Sequence, residues 1–213
     1  MAREPRNTQQ QGYPLRNADV VIIASGGANI ASLQFALQRL GISSAVSANA
    51  RKIRHASHVI LPGVGGAADA MARLRQKNLD TLIPALEQPV LGICLGMQLL
   101  FEASEEGEEE CLGVIPGRAA RLPHRAGHPV PHMGWNTLSI ERPSALLEGV
   151  PNDAYAYFVH SYALSLGPAT IATSEYGQPF SACVQWRNFL GVQFHPERSA
   201  QVGAQLLQNF LRL

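Results

Sequence analysis

The chain has 213 residues, 46% of them hydrophobic, with 17 Lys and Arg against 16 Asp and Glu for a net charge of +1. That length suits one α/β domain with a proper core and leaves little room for two, while the charge balance gives no electrostatic basis for binding nucleic acid or an anionic membrane. Cys94, Cys111 and Cys183 lie at no disulfide-framework or metal-ligand spacing, which fits a reducing cytoplasm and at least one free thiol; no apolar run is long enough to span a bilayer, and Met1 to Asn17 lacks the apolar stretch of a signal peptide.

In chain order, the polar residues Met1 to Asn17, with a Gln run and two prolines, are expected to form a loose arm (residues 1–17) ahead of a single domain (18–213). The β-branched run from Asp19 to Ala24 predicts a strand, the turn Ser25 to Asn29 follows, and Ile30 to Leu40 has helical spacing up to a stop at Gly41. This β-loop-α unit lacks a phosphate-loop motif, so a plain tight strand-to-helix turn is the better reading. Ile42 to Ala48 and His58 to Leu61 predict two more strands. The latter leads into Pro62-Gly63-Val64-Gly65-Gly66 and a helix from about Ala67 to Leu74. Strands alternating with helices imply a doubly wound parallel sheet, whose active sites gather beyond the carboxyl ends of the strands.

Val90 to Ile93 is a further strand, and Gly96 to Phe101 reads as the opening of an apolar helix. Between them Gly92-Ile93-Cys94-Leu95-Gly96 is the thiol form of a nucleophile elbow, which lifts one side chain above the sheet at a sharp strand-to-helix turn. The helix start is expected to favour thiolate, and Gln98, four residues on, to share its face. The alternative is that Cys94 is a small buried core residue. Glu102 to Glu110 then reads as a solvated acidic turn. From Gly117 onward short β-like runs, including Tyr155 to Val159, Ala182 to Trp186 and Leu190 to Phe194, suggest an antiparallel extension before a closing helix from about Ala200 to Leu211.

A thiol nucleophile needs a base and a group that orients the base. His55, His58, His124 and His128 read as surface or structural residues. His195 closes the apolar run Gly191 to Phe194, precedes Pro196, and has Glu197 two residues on, where an extended backbone lets the carboxylate reach the imidazole. Alone, such a His-Pro-Glu at a strand end is more often structural than catalytic. With the elbow, it suits acyl transfer through a thioester, with oxyanion donors from the Leu95 N–H and the glycine turn Gly63 to Gly66.

The residues resemble the class I (triad) glutamine amidotransferases from about Asp19 to the C-terminus. The likeness is carried by Leu61 to Gly65 (LPGVG), Gly92 to Gly107 (GICLGMQLLFEASEEG), Ile115 to Arg118, Pro131 to Asn136 (PHMGWN), Tyr157 to Tyr162 (YFVHSY) and Gly191 to Ser199 (GVQFHPERS). The resemblance implies a three-layer, flavodoxin-like sheet, a triad of Cys94, His195 and Glu197, and a glutamine pocket formed by Gly63, Val64, Gly65, Leu95, Gln98, His160, Ser161 and Tyr162. It implies no cofactor and no metal. Met97 and the PHMGWN run narrow the resemblance to members whose ammonia passes to a (β/α)8-barrel cyclase subunit in a heterodimer, and Asn29, His132, Met133, Gly134, Trp135, Asn136 and Arg198 would then face that partner. A core position for Trp135 is the alternative. Three features depart from the family pattern: Ala24 to Asn29 lacks its usual Asp and aromatic residue, Gly66-Ala67-Ala68 lacks an aromatic residue, and Arg198 replaces the usual Lys. A free-standing thiol hydrolase and a degenerate, binding-only member are the rival readings.

Overall fold

A computed structural model describes residues 19–25 and 30–213. The expected N-terminal arm and Gly26 to Asn29, including the interface candidate Asn29, lie outside the described residues. The first half of the chain alternates strands and helices: β1 (Val20–Ile23), α1 (Ile30–Arg39), β2 (Ser44–Ser47), α2 (Ala50–His55), β3 (His58–Gly63), α3 (Ala67–Gln76), α4 (Leu79–Leu82), β4 (Val90–Cys94) and α5 (Leu95–Leu99). The second half is mostly β: β5 (Phe101–Ser104), β6 (Glu109–Glu110), β7 (Ile115–Arg121), β8 (His132–Ile140), β9 (Ala154–His160), β10 (Tyr162–Leu164), β11 (Thr170–Glu175), β12 (Pro179–Trp186) and β13 (Phe189–Val192), closed by α6 (Ala200–Phe210).

Among the described residues, nine strands form one sheet in the order β2-β1-β3-β4-β13-β12-β11-β8-β9, parallel from β2 to β13 and antiparallel beyond. The parallel part has the flavodoxin-like order, in which the chain starts centrally, winds to one edge and returns to the other side. Because both faces of such a sheet are covered, its strands are continuous apolar runs, and all four residues of β1 are buried. The strand period of two divides them: Val20 and Ile22 pack with Leu33, Leu37, Leu206 and Phe210 of α1 and α6, while Val21 and Ile23 pack with Ile53, Met71 and Leu74 of α2 and α3. Three layers result.

One sequence expectation changes. The apolar helix read from Gly96 to Phe101 starts at Leu95 and ends at Leu99, and Phe101 already belongs to a second sheet, ordered β10-β7-β5-β6. Apolarity did not distinguish a buried helical turn from the buried strand after it. The acidic segment is a surface turn joining the antiparallel strands β5 and β6. Glu102 accepts from the Gly117 N–H and Glu105 from the Arg121 N–H, while Glu109 pairs with Arg75 at 2.5 Å and Glu108 with Arg118. Donors on β7 and α3 order the turn, while Glu102, Glu105, Glu108 and Glu110 remain exposed to solvent as expected.

Candidate active site

Three carboxyl-edge connections converge at the end of β4. There Cys94 takes φ 53° and ψ −115°, a left-handed conformation rare for a residue with a Cβ and costing on the order of 1–3 kcal/mol. The flanking glycines make the turn possible by close approach. A Cβ on Gly96 would lie 1.9 Å from the Leu61 carbonyl oxygen, and one on Gly92 would lie 2.7 Å from the Cα of Met97. Neither gap admits a methyl group, so the elbow requires glycine at both places.

The neighbouring strands supply the rest. Gly63 pairs with Cys94 across the β3–β4 register, and Ser25 at the end of the first strand donates to the Pro62 carbonyl at 2.8 Å, bracing the glycine turn. After β13 the chain reaches His195, which is buried. Pro196 to Arg198 form a single 3-10 turn, not the extended run expected, yet that turn brings Glu197 Oε1 to 2.9 Å from His195 Nδ1. Ser199 secures the loop by donating to the His195 carbonyl at 2.7 Å and accepting from the Tyr157 N–H of β9 at 3.0 Å. The His195 N–H also donates to the Tyr157 carbonyl.

Burial by itself lowers the pKa of His195, but hydrogen bonds to Cys94 and Glu197 and their negative charges outweigh it and raise it to about 10. With Nδ1 occupied by Glu197, Nε2 is the nitrogen left for the thiol. Both partners favour the protonated imidazole. The helix start contributes less than its sequence implied, because α5 is five residues long.

Cys94 and His195 open on a cavity of about 310 Å³. Of the eight expected pocket residues, Val64, Gly65, Leu95, Gln98, His160, Ser161 and Tyr162 line it. Gly63 does not. Its missing Cβ would lie 2.4 Å from the Gly96 N, so it forms the seam between β3 and the elbow. Gln98 is buried, donating to the Tyr162 carbonyl at 2.9 Å and to Gln193 Oε1 at 3.0 Å, which leaves its own oxygen as the atom available to a ligand. His160 donates from Nδ1 to the same Tyr162 carbonyl at 2.8 Å. Its pKa is lowered to about 3, chiefly by burial, so this imidazole is neutral.

Sequence reasoning missed Glu106, Pro131 and Val159, which also line the cavity. Glu106 was hidden in the acidic run. Its Oε2 accepts from the Ala67 N–H at 3.0 Å at the start of α3, and burial raises its pKa more than that bond lowers it. It sets one carboxylate inside a mostly apolar chamber. No group of three or more His, Cys, Asp or Glu side chains with metal-site geometry occurs among the described residues.

The expected partner face needs two corrections. Strand alternation points Met133 (63% exposed) and Trp135 (52%) outward on β8, whereas His132 (3%) faces inward against Phe158 and Tyr176, and Asn136 lies on the same inward side, its amide on the Glu175 carbonyl at 2.8 Å and 3.4 Å from His132 Nε2. The exposure of Trp135 also removes the core alternative for that residue. Arg198 lies beside the same face, its guanidinium 4.2 Å from the centre of the Tyr157 ring.

A thiol, an imidazole and a carboxylate gathered at the carboxyl edge of a doubly wound sheet are the arrangement of triad glutamine amidotransferases. The family model described as "Glutamine amidotransferase class-I" matches residues 21–213, and the chain belongs to that family. Among curated relatives it is 52% identical over 195 residues to the imidazole glycerol phosphate synthase subunit HisH of Xylella fastidiosa, covering 92% of this chain and 98% of the relative. The Vibrio cholerae protein of the same name is 49% identical over 201 residues, with the same coverage. In fold, the chain is similar to a solved glutamine amidotransferase (TM-score 0.70, 20% identity, covering 91% of this chain and 97% of that one). It is also similar to the glutaminase domain of a Trypanosoma brucei CTPS (TM-score 0.60, 16% identity, covering 92% and 94%).

Proposed function

We propose that this chain is the glutamine-hydrolysing subunit of an imidazole glycerol phosphate synthase, working in the cytoplasm as a heterodimer with a (β/α)8-barrel cyclase subunit in histidine biosynthesis. The observation that carries the chemistry is Cys94 at a strained elbow with His195 and Glu197, facing a cavity that Glu106 also lines. At about 310 Å³ that cavity is at the small end of ligand sites, suited to a single amino acid.

Cys94 attacks the side-chain carboxamide carbon of glutamine. The C–S bond forms as the carbonyl π electrons move onto oxygen, where the Leu95 N–H and the Val64–Gly65 turn stabilise the charge. His195 then gives its proton to the departing nitrogen, the C–N bond breaks, and ammonia leaves a thioester. Water, deprotonated by the same imidazole, hydrolyses the thioester to glutamate and restores the thiol pair. Glu197 holds the imidazole in the tautomer and charge state these steps need. At the amino-acid end, Glu106 meets the α-ammonium, Ser161 and Tyr162 lie near the α-carboxylate, and the Gln98 oxygen accepts from a substrate N–H. Met133, Gly134, Trp135 and Arg198 face the cyclase, to which the ammonia passes.

The test is glutamate release with and without a cyclase subunit and its nucleotide substrate. Stimulation by the partner is the expected outcome. Cys94→Ala is expected to abolish glutamine-dependent synthesis and leave ammonia-dependent synthesis by the complex intact. Loss of both in a folded complex would overturn the assignment of Cys94, and turnover of other acyl substrates without a partner would instead identify a free-standing thiol hydrolase.

A further inference from the structure

The side chain of Gln193, wholly buried one residue beyond β13, lies between Gln98 and the nucleophile. Amide oxygen and nitrogen are often interchangeable in a structure, but here a chain of one-way hydrogen bonds distinguishes them. The Tyr162 carbonyl can only accept, and it takes a hydrogen from Gln98 Nε2 at 2.9 Å. The same nitrogen spends its second hydrogen on Gln193 Oε1 at 3.0 Å. Gln193 must therefore turn its Nε2 toward Cys94 Sγ, 3.8 Å away.

The sulfur thus sits between two groups of opposite preference. Val159 presents a carbonyl oxygen 3.6 Å from Sγ, which suits a neutral thiol because an S–H can donate to it. Once the proton moves from sulfur to the His195 imidazole, that oxygen is an acceptor facing an anion. Gln193 is the opposite case, an N–H donor with no use for a thiol proton and a direct use for a thiolate. Donors to an ionised acceptor are about twice as strong as donors to a neutral one. Burial excludes water from replacing it.

We propose that Gln193 is a catalytic donor that holds the Cys94 thiolate through its side-chain N–H, with Gln98 and the Tyr162 carbonyl fixing the direction of that amide. Gln98 thereby has two tasks, one toward the substrate and one, through Gln193, toward the sulfur. The thiol arm of the test is independent of the glutaminase reading, and only the turnover arm rests on it.

The experiment follows alkylation of Cys94 in the full chain by iodoacetamide across pH, with peptide mapping to separate it from Cys111 and Cys183, alongside glutaminase kinetics in the presence of the cyclase. Gln193→Met conserves volume and removes the donor. It is expected to slow Cys94 alkylation at pH 7 about 10-fold, to displace the alkylation profile upward by about one pH unit, and to lower kcat about 10-fold with KM within about twofold. A folded variant whose alkylation profile superimposes on wild type overturns the proposal, as does a loss confined to KM. If Gln193→Met does not fold, Gln193→Glu keeps the acceptor for Gln98 but places an oxygen beside the sulfur; slower alkylation than wild type is expected, and an equal rate overturns the proposal. A wild-type protein that alkylates normally but hydrolyses no glutamine would refute the glutaminase reading and leave the thiol arm fully readable.

Discussion

At the scale of single residues, the site turns on proton positions. Glu197 lies 2.9 Å from His195 Nδ1 and helps to hold the imidazole charged. Replacing it as Glu197→Gln keeps the shape but allows the wrong tautomer, and turnover is expected to fall by about 10³- to 10⁴-fold with the fold retained; single-turnover glutaminase kinetics check this, and near-normal turnover would assign the orienting role elsewhere. Glu106 makes a different contribution. In the proposed binding mode its carboxylate meets the α-ammonium and not the reacting carbon, so Glu106→Gln is expected to raise KM for glutamine about 30-fold or more with a much smaller change in kcat. Equal loss in both constants would place Glu106 in the transition state.

At the scale of elements, β8 and β9 do more than extend the sheet. They face each other with His132 opposite His160, and their buried rings form a directed chain: Asn136 Nδ2 approaches His132 Nε2 at 3.4 Å, and His132 Nδ1 donates to His160 Nε2 at 3.0 Å. The direction is imposed from the far end, where His160 Nδ1 can only donate to the Tyr162 carbonyl. Protonating either ring sets hydrogen against hydrogen. Burial, followed by the charge of His128, lowers the pKa of His132 to about 4. The folded value lies below the unfolded 6.5, so the unfolded chain binds the extra proton: this stability is present above pH 6.5 and is lost as pH falls toward 4. Chemical denaturation at pH 6.5 and 5 is expected to show about 2 kcal/mol more loss in wild type than in His132→Phe. Parallel losses in the two proteins would show that His132 takes up no proton on unfolding.

At the scale of the molecule, the catalytic edge and an exposed aromatic face share one strand pair. The Tyr157 carbonyl holds the His195 N–H and the Val159 carbonyl reaches Cys94, while Met133 and Trp135 across the ladder, with Tyr155 (60% exposed), project outward. An exposed Trp, Met and Tyr cluster on an edge pair is the composition of a binding hot spot. Trp135→Ala is expected to weaken binding to the cyclase subunit about 30-fold or more, measured by titration calorimetry, without lowering the melting temperature of the isolated chain. Unchanged affinity would move the interface off this face.

Much of this architecture was legible in the residues because the physics was local. Apolar runs at strand length, helices ending at glycine and the pairing of Gly92 with Gly96 around Cys94 determined the doubly wound order and the elbow, since a continuous apolar strand must be covered on both faces and a tight turn must lack side chains. The proximity of Glu197 to His195 was legible too, though a 3-10 turn and not an extended run produces it. What only the tertiary structure decided depends on contacts between distant segments. Glu106 is one acid among many in Glu102 to Glu110 until the α3 N–H of Ala67 draws it into the cavity. His132 was read as surface until the β8 register turned it inward, and Gln193 gains its orientation from a carbonyl 31 positions earlier in the chain. Spacing carries backbone conformation because that is set within a few residues. It carries no record of which buried acceptor a distant donor will meet, and in this protein those meetings decide which groups surround the sulfur.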